Sequence, residues 1–572
     1  MKKNILVHLG ALFVLSLTSC THLFGNFNQS NVNKTKTQLT ISCWDGGHGI
    51  AWLEEIAQQF EALNEETEFE SGKKGIQIWV TPSKGNVYDA FATTFTSQDA
   101  EIAISEQCNY NGFVAKKTAL DITDVVTQPL TEYGETRSIA DKLSSSNRAF
   151  YGCETDTFYG LPWYESLMGF QYDIDLFDEY GYYFAHGTSE IADFISPGNP
   201  VKSTGPDGIL GNEDDGLPRT YDEFFKLCDR MVEDGTIPFI YAGNAQVYIN
   251  NLLSSLAADY EGYQQMALNF TLDGTATNII KTIVGNTVTL EAPTVINNAN
   301  GYLLKKQAGY YYGLKFIERL LTTPNASGGY KYYDKSFCRS EIRSQKDAQT
   351  EFLRSRFKGS GSSPIAMLID GSWWHAEAKA TFDYMQNTPG ATALERHIGF
   401  MPMPKADISR LGKATYFNCW MTSINVRANI EPSKIPVAKQ FLRYMHTDKS
   451  LSTFTRVTSN VRPFNYEITA EDEPQTTFYA KEMLRLHNAD SVSPTIVMPW
   501  SRNELILNNL SSFMINSTMY SSLVRGILNT IISISLIPNR SDIPAVTAEE
   551  YFWGLSTYMN QARWEENYSN YF

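Results

Sequence analysis

The chain has 572 residues, which at ~150 residues per domain leaves room for roughly three to four domain-sized units. With 42% apolar and 19% charged residues it can bury a sizeable core and is not a charged, disordered chain. The 47 basic and 63 acidic side chains give a net charge of −16, which argues against a nucleic-acid-binding face. Aromatic residues reach 13%, including 32 Tyr and 10 Trp, a composition suited to a wet binding cleft.

Lys2 and Lys3 precede an apolar run from Ile5 to Leu17. The run is shorter than the ~20 residues a membrane span needs, so it reads as a secretory signal peptide over residues 1–19. Its end, Leu17-Thr18-Ser19-Cys20, resembles the bacterial lipobox, which implies cleavage before Cys20 and a lipid on its sulfur. Residues 20–36, rich in Asn, Gln, Ser and Lys, read as a flexible tether. Of seven cysteines six remain, at 43, 108, 153, 228, 338 and 419. None has metal-ligand spacing, and the scatter reads as buried thiols, with a single bridge left open.

Leu39–Ser42 alternates and runs into Trp44-Asp45-Gly46-Gly47, a strand ending in a glycine turn. Leu53, Ile56, Ala57, Phe60 and Leu63 then recur at helical spacing, and Ile76–Val80 is a second strand. A strand–helix–strand unit favours a parallel sheet, whose ligands sit beyond the carboxyl ends of the strands. A third strand is predicted over Glu101–Ser105, with Glu106 at its end. Helices are predicted over Tyr221–Val232, Gly313–Leu321, His375–Met385, Lys434–Met445 and Ala548–Gln561. Thr547 and Glu550 form a capping box for the last of these. Ile365–Ile369 is a short strand entering Asp370-Gly371-Ser372-Trp373-Trp374. Ile527–Ile537 is apolar but too short for a span, and reads as a buried helix.

Several segments, in order, resemble bacterial extracellular solute-binding proteins of the maltose-binding type. They are TISCWDGG, IQIWVTP, YGLPWYESLMGFQYDIDLF, TYDEFFKLCDRM, IPFIYAGN, PIAMLIDGSWW, IGFMPMPKA and PVAKQFLRYMHTDKS. The resemblance implies an α/β fold of two lobes flanking a ligand cleft. Lobe one takes 37–161 plus 412–462; lobe two takes 162–411 plus 463–572. Insertions are assigned to 187–218 and 274–299. It also implies a monomeric, lipid-anchored, extracytoplasmic receptor. Such a receptor binds a carbohydrate, delivers it to the permease of an ATP-driven importer, and touches the membrane only through its anchor.

Sugars offer C–H faces to aromatic rings and hydroxyls to carboxylates, amides and Arg. The ligand candidates are therefore Trp44, Asp45, Glu106, Trp163, Tyr164, Glu165, Tyr248, Trp373, Trp374, Trp420 and Arg462. Of the tandem Trp373 and Trp374, an extended chain would aim only one at the cleft. Asp207, Asn212, Asp214 and Asp215 cluster in a glycine-rich loop. A structural Ca²⁺ is one reading of that loop, although it departs from the EF-hand pattern; a solvated acidic loop is the other. No other cofactor is required. The rival classes are a secreted carbohydrate hydrolase, with a carboxylate pair such as Asp45 and Glu165, and a receptor for peptides. No GxSxG, HExxH, P-loop or Rossmann fingerprint is present.

Overall fold

The computed structural model describes residues 32–108, 110–357, 363–488, 494–499, 501–513, 531–538 and 544–572. The signal peptide, Cys20, most of the tether and residues 527–530 of the predicted buried helix lie outside the described residues.

Two four-stranded sheets organise the chain. In the first, Thr37–Trp44 pairs in parallel with Ile76–Ser83 on one side and Ile102–Glu106 on the other; Thr422–Val426 adds antiparallel at the edge. The Thr37–Trp44 strand alternates buried and half-buried residues because only one of its faces is fully packed. The Ala51–Leu63 helix covers that face with Trp52, Leu53, Ile56, Ala57 and Phe60. The second sheet runs Ile398–Met401, Met168–Asp173, Ile365–Gly371, Ile237–Ile240. Its two inner strands are buried along their whole length, as expected of a sheet covered on both sides.

The predicted elements that fall on described residues occur, with bounds that are longer, shorter, shifted or divided. Tyr221–Glu233 and Ala308–Thr322 are helices, and Thr547 and Glu550 form the reciprocal cap of Ala548–Tyr558. The predicted His375–Met385 helix is two short ones, Trp374–Glu377 and Lys379–Met385. One long helical stretch, Val247–Thr271, broken at Gly262 where φ is 72°, has no counterpart in the sequence reading. It is buried on every side from Tyr248 to Ala258, so no amphipathic stripe betrays it. The 274–299 insertion holds two small antiparallel pairs. All six described cysteines are free, and only Cys153 is not fully buried.

Two of the chain's passages between the sheets are extended segments that bond to each other, and a third follows residue 472, which is still tied to lobe one, before Tyr479 bonds Ser372 of lobe two. Leu161 and Ile424 exchange both backbone hydrogen bonds, at 3.1 and 2.7 Å. The Thr422 hydroxyl donates to the Tyr164 carbonyl at 3.1 Å, and Cys419 N–H donates to the Ser166 carbonyl at 3.0 Å. Ser166 Oγ donates to Asn418 Oδ1 at 2.8 Å and accepts from Trp420 N–H. On the far side, Ser372 N–H donates to the Leu167 carbonyl and its hydroxyl to the Glu165 carbonyl, tying the crossing to the second sheet. Strand Thr415–Phe417, just before the return, pairs with Thr495–Val497. No described helix is long and apolar enough to cross a membrane.

Ser166→Ala removes a buried hydroxyl and leaves the Trp420 N–H without its acceptor, while Asn418 Oδ1 keeps only the residue-166 backbone N–H. It is expected to cost about 1–3 kcal/mol, read as a lower urea midpoint at unchanged slope.

Candidate functional site

The strand ends of the two sheets face one another. Trp44 closes the first strand, and Gly46 and Gly47 follow it. Gly47 lies against Glu377 of the second lobe: a Cβ there would stand 2.5 Å from Glu377 Cγ. Only a glycine lets the lobes come this close. At the opposing strand end the Trp373 ring folds back over Gly371, where a Cβ would collide with it. Tyr248, at the start of the long helix, meets Trp373 edge-on with ring centroids 5.9 Å apart.

Glu106 ends the Ile102–Glu106 strand and accepts a 2.6 Å hydrogen bond from the Tyr164 hydroxyl. The Trp44 indole N–H faces the same carboxylate without reaching hydrogen-bonding geometry. Burial raises the Glu106 carboxyl above its ordinary range; the Tyr164 bond opposes this and the negative charge of Glu377 adds to it. Across the cleft the Gln349 amide donates to both Asp370 Oδ2, at 3.0 Å, and Glu377 Oε2, at 2.8 Å. Burial raises both carboxyls, and the neighbouring Glu377 pushes Asp370 further. At the rim Lys84 pairs with Asp45 at 3.3 Å and sits 5.7 Å from the centre of the Trp44 ring.

The structure therefore brings Trp44, Asp45, Glu106, Tyr164, Tyr248 and Trp373 together where the lobes face, with Tyr164, Tyr248 and Trp373 buried there. It takes other candidates elsewhere. Trp163 is fully buried in lobe one, stacked on Trp52 with its indole N–H on the Ser105 carbonyl. Trp374 is fully buried in lobe two among Phe352, Phe382 and Tyr479. Arg462 is fully buried too: it donates to the carbonyls of Met445 and Pro162 and faces the His446 ring. It fastens the crossing from inside lobe one. Trp420 is half-buried at the return crossing, and among the described residues no ring pair joins it to the cleft.

Glu165 points the other way, as side chains alternate along an extended chain. It accepts from Asn147 Nδ2 at 2.6 Å and lies 3.8 Å from the His487 ring. It lines a cavity of about 660 Å³ behind the crossing, whose walls include Leu167, Phe400, Tyr416, Asn460 and Arg485.

The sequence reading missed Glu377, Asp370 and Gln349. Glu377 lies one helical turn after Trp373, a spacing that places both on one face; Gln349 carries no local signal.

The 205–216 loop closes largely on itself. Asp207 accepts from Ile209 N–H and Asn212 Nδ2, Asp214 from Asp207 N–H, and Asp215 from Gly211 N–H. Asp214 Oδ1 and Asp215 Oδ1 are buried with no hydrogen-bond partner. Among the described residues no group of three or more His, Cys, Asp or Glu is arranged to hold a metal ion.

No protein-family model and no curated protein matches the sequence. Solved structures do match. The apo form of RafE from Streptococcus pneumoniae superposes at a TM-score of 0.51 and 13% identity, over 92% of this chain and 98% of that one. A chitin oligosaccharide binding protein gives 0.52 and 15%, over 93% and 99%. The bacterial solute receptor AcbH, described as preferring β-D-galactopyranose, gives 0.50 and 12%, again over 93% and 99%. The chain has the two-lobed α/β fold of these solute-binding structures.

The two tandem tryptophans are both expected to destabilise on substitution. Trp374→Ala opens a cavity in lobe two and should cost about 3–5 kcal/mol in urea unfolding. Trp373 is 6% exposed and packs on Gly371 and Tyr248 where the lobes meet, so Trp373→Ala should also destabilise, by no more than Trp374→Ala.

Proposed function

We propose that this protein is an extracytoplasmic receptor that captures a carbohydrate, best an oligosaccharide, in the cleft between its lobes and passes it unchanged to an ATP-driven importer. The observation that carries the reading is the composition of the cleft. Flat aromatic faces from both lobes, Trp44 and Trp373, stand beside carboxylates from both lobes, Glu106 and Glu377. Aromatic faces cover sugar C–H patches, and carboxylates accept hydroxyl protons. The fold neighbours named for a chitin oligosaccharide and for β-D-galactopyranose support the same chemistry. Contacts from both lobes are complete only when the cleft is shut, so a bound sugar favours the closed state. The hydrolase reading is not favoured: Glu106 and Glu377 are engaged with Tyr164 and Gln349, and the carboxylate of Glu165 lies behind the crossing.

A thermal-shift screen of the mature chain with Cys20 replaced tests this reading. Ligand that binds only the folded state raises the midpoint by mass action. One class of sugar is expected to give a shift of several degrees and to be recovered intact. Recovery of a cleaved sugar would instead establish a hydrolase, and a shift with peptides alone would move the cargo to that class.

The lipid anchor belongs to the same proposal. Cys20→Ser is expected to abolish incorporation of a clickable fatty acid and to release the protein from the membrane fraction; retention of the label would refute it.

For the 205–216 loop the proposal is a structural Ca²⁺. It is supported by the two orphaned oxygens of Asp214 and Asp215 and by the charge crowded there. Burial, then the charges of Asp207 and Asp215, push Asp214 up to about 7. An acid raised in the folded state gives stability that is lost as pH rises through that value. Stability of the cation-free protein should therefore decline between about pH 5 and about pH 8, and Ca²⁺ should restore more at the higher pH. Equal midpoints with Ca²⁺ and with chelator at both pH values would rule the site out.

A further inference from the structure

Behind the crossing lies the cavity of about 660 Å³ that Glu165 enters. Its volume falls within the roughly 300–1,000 Å³ of small-molecule sites. None of the residues gathered at the front, Trp44, Glu106, Tyr248, Trp373 or Glu377, is among its described walls. Lobe one contributes Ser145, Asn460 and Val461, and lobe two contributes Tyr263, Phe400 and Met483. A molecule held there touches both lobes without entering the cleft.

Bonds fix the walls. Arg485 joins the helix Phe478–Asn488 to the 205–216 loop through Glu213 at 2.7 Å. At the end of the same helix Asn488 Nδ2 donates to the Tyr466 carbonyl of lobe one at 2.6 Å. Glu165 is anchored on the lobe-one side by Asn147 at 2.6 Å. Walls held in this way receive a ligand at little further ordering cost.

The chemistry of the walls selects a ligand class. Glu165 is 7% exposed, yet only one of its carboxylate oxygens is hydrogen-bonded. The other has nothing nearer than the His487 ring at 3.8 Å, beyond hydrogen-bond reach. That oxygen is not sealed from solvent, so it opens onto the cavity its residue lines. An acceptor on so buried a residue is costly to leave unmet. Among the described residues nothing bonds the side-chain hydroxyls of Ser145, Thr495 and Tyr263, which line the same space. Leu167, Phe400, Val461, Met483 and Ile496 each keep 5–6% of their surface and supply apolar patches between these polar groups. Two cations of the wall are already committed, Lys142 to Asp448 at 2.7 Å and Arg485 to Glu213 and Glu482. An anion would meet the open oxygen of Glu165 with no spare charge from either of them. A neutral hydroxyl instead donates to that carboxylate and accepts from the wall hydroxyls, while a ring C–H face covers the apolar patches. We propose that the rear cavity is a second binding site, which takes a neutral, hydroxyl-rich ring compound of mono- or disaccharide size. It is separate from the cleft and does not rest on the reading given for the cleft.

The test is calorimetric titration of the full chain with galactose, maltose and N,N′-diacetylchitobiose, each to millimolar concentration, with sodium phosphate as the anionic control. Trp44→Ala with Glu106→Gln impairs the cleft. Ser145→Trp fills the rear cavity from an exposed position, and Glu165→Gln removes the charge while keeping an acceptor for Asn147. At least one of the three sugars is expected to bind the cleft-impaired chain. Adding Ser145→Trp should weaken that binding at least about tenfold, and adding Glu165→Gln severalfold, with cooperative thermal unfolding retained. Failure of all three sugars to bind the cleft-impaired chain, or binding that neither rear substitution moves, would overturn the second site. Binding of phosphate that Ser145→Trp abolishes would overturn its ligand class. Sugar binding by the cleft is read separately, from Ser145→Trp in the otherwise unaltered chain.

Discussion

The arrangement of this protein depends on a short hydrogen-bonded crossing. Residues 161–167 and 418–424 run side by side and bond to each other, so two of the passages between the sheets share a common, narrow ladder. The ladder is buried and mostly satisfied by side-chain hydroxyls: Thr422, Ser166 and Ser372 each bridge backbone groups that have no sheet partner. Buried backbone groups must be paired somewhere, and here small polar side chains do it where a regular sheet cannot continue. The segment is thereby defined in register yet remains a thin connection, which is the construction a hinge requires.

Arg462 extends the same logic from inside lobe one. Its guanidinium spans the carbonyls of Pro162 and Met445, so the first crossing is held against the Ile435–Met445 helix rather than against the ligand. Burial pulls it down to about 9. An arginine that the sequence places among the cleft-lining segments is here part of the frame that keeps the cleft in place.

Much of this architecture is legible in the sequence, for reasons that also mark its limits. The strand-end aromatics Trp44 and Trp373 are readable because alternation and glycine turns announce where strands stop. Burial of neighbouring aromatics is not readable. Trp163 and Tyr164 are adjacent, yet the first packs into the lobe and the second reaches Glu106. For the tandem Trp373 and Trp374 the sequence does foretell that one packs inward, but not which; it is Trp374 that fills lobe two. The Val247–Thr271 helix escapes notice because a helix buried all round has no period to detect. Gln349 and Glu377 escape because their significance lies in what the fold brings opposite them: Asp370 for the first, Gly47 for the second.

The one-residue alternation at Tyr164 and Glu165 also links the two sides of the hinge. Tyr164 serves the cleft, whereas Glu165 serves the cavity behind it, through Asn147 of lobe one and His487 of lobe two. The approach of Gly47 to Glu377 at the front and the walls of the rear cavity are carried by the same two lobes about the same ladder. The rear cavity has its own charged and polar lining, including Glu165 and Arg485. Two neighbouring residues of one crossing thus commit its opposite faces to two different sites.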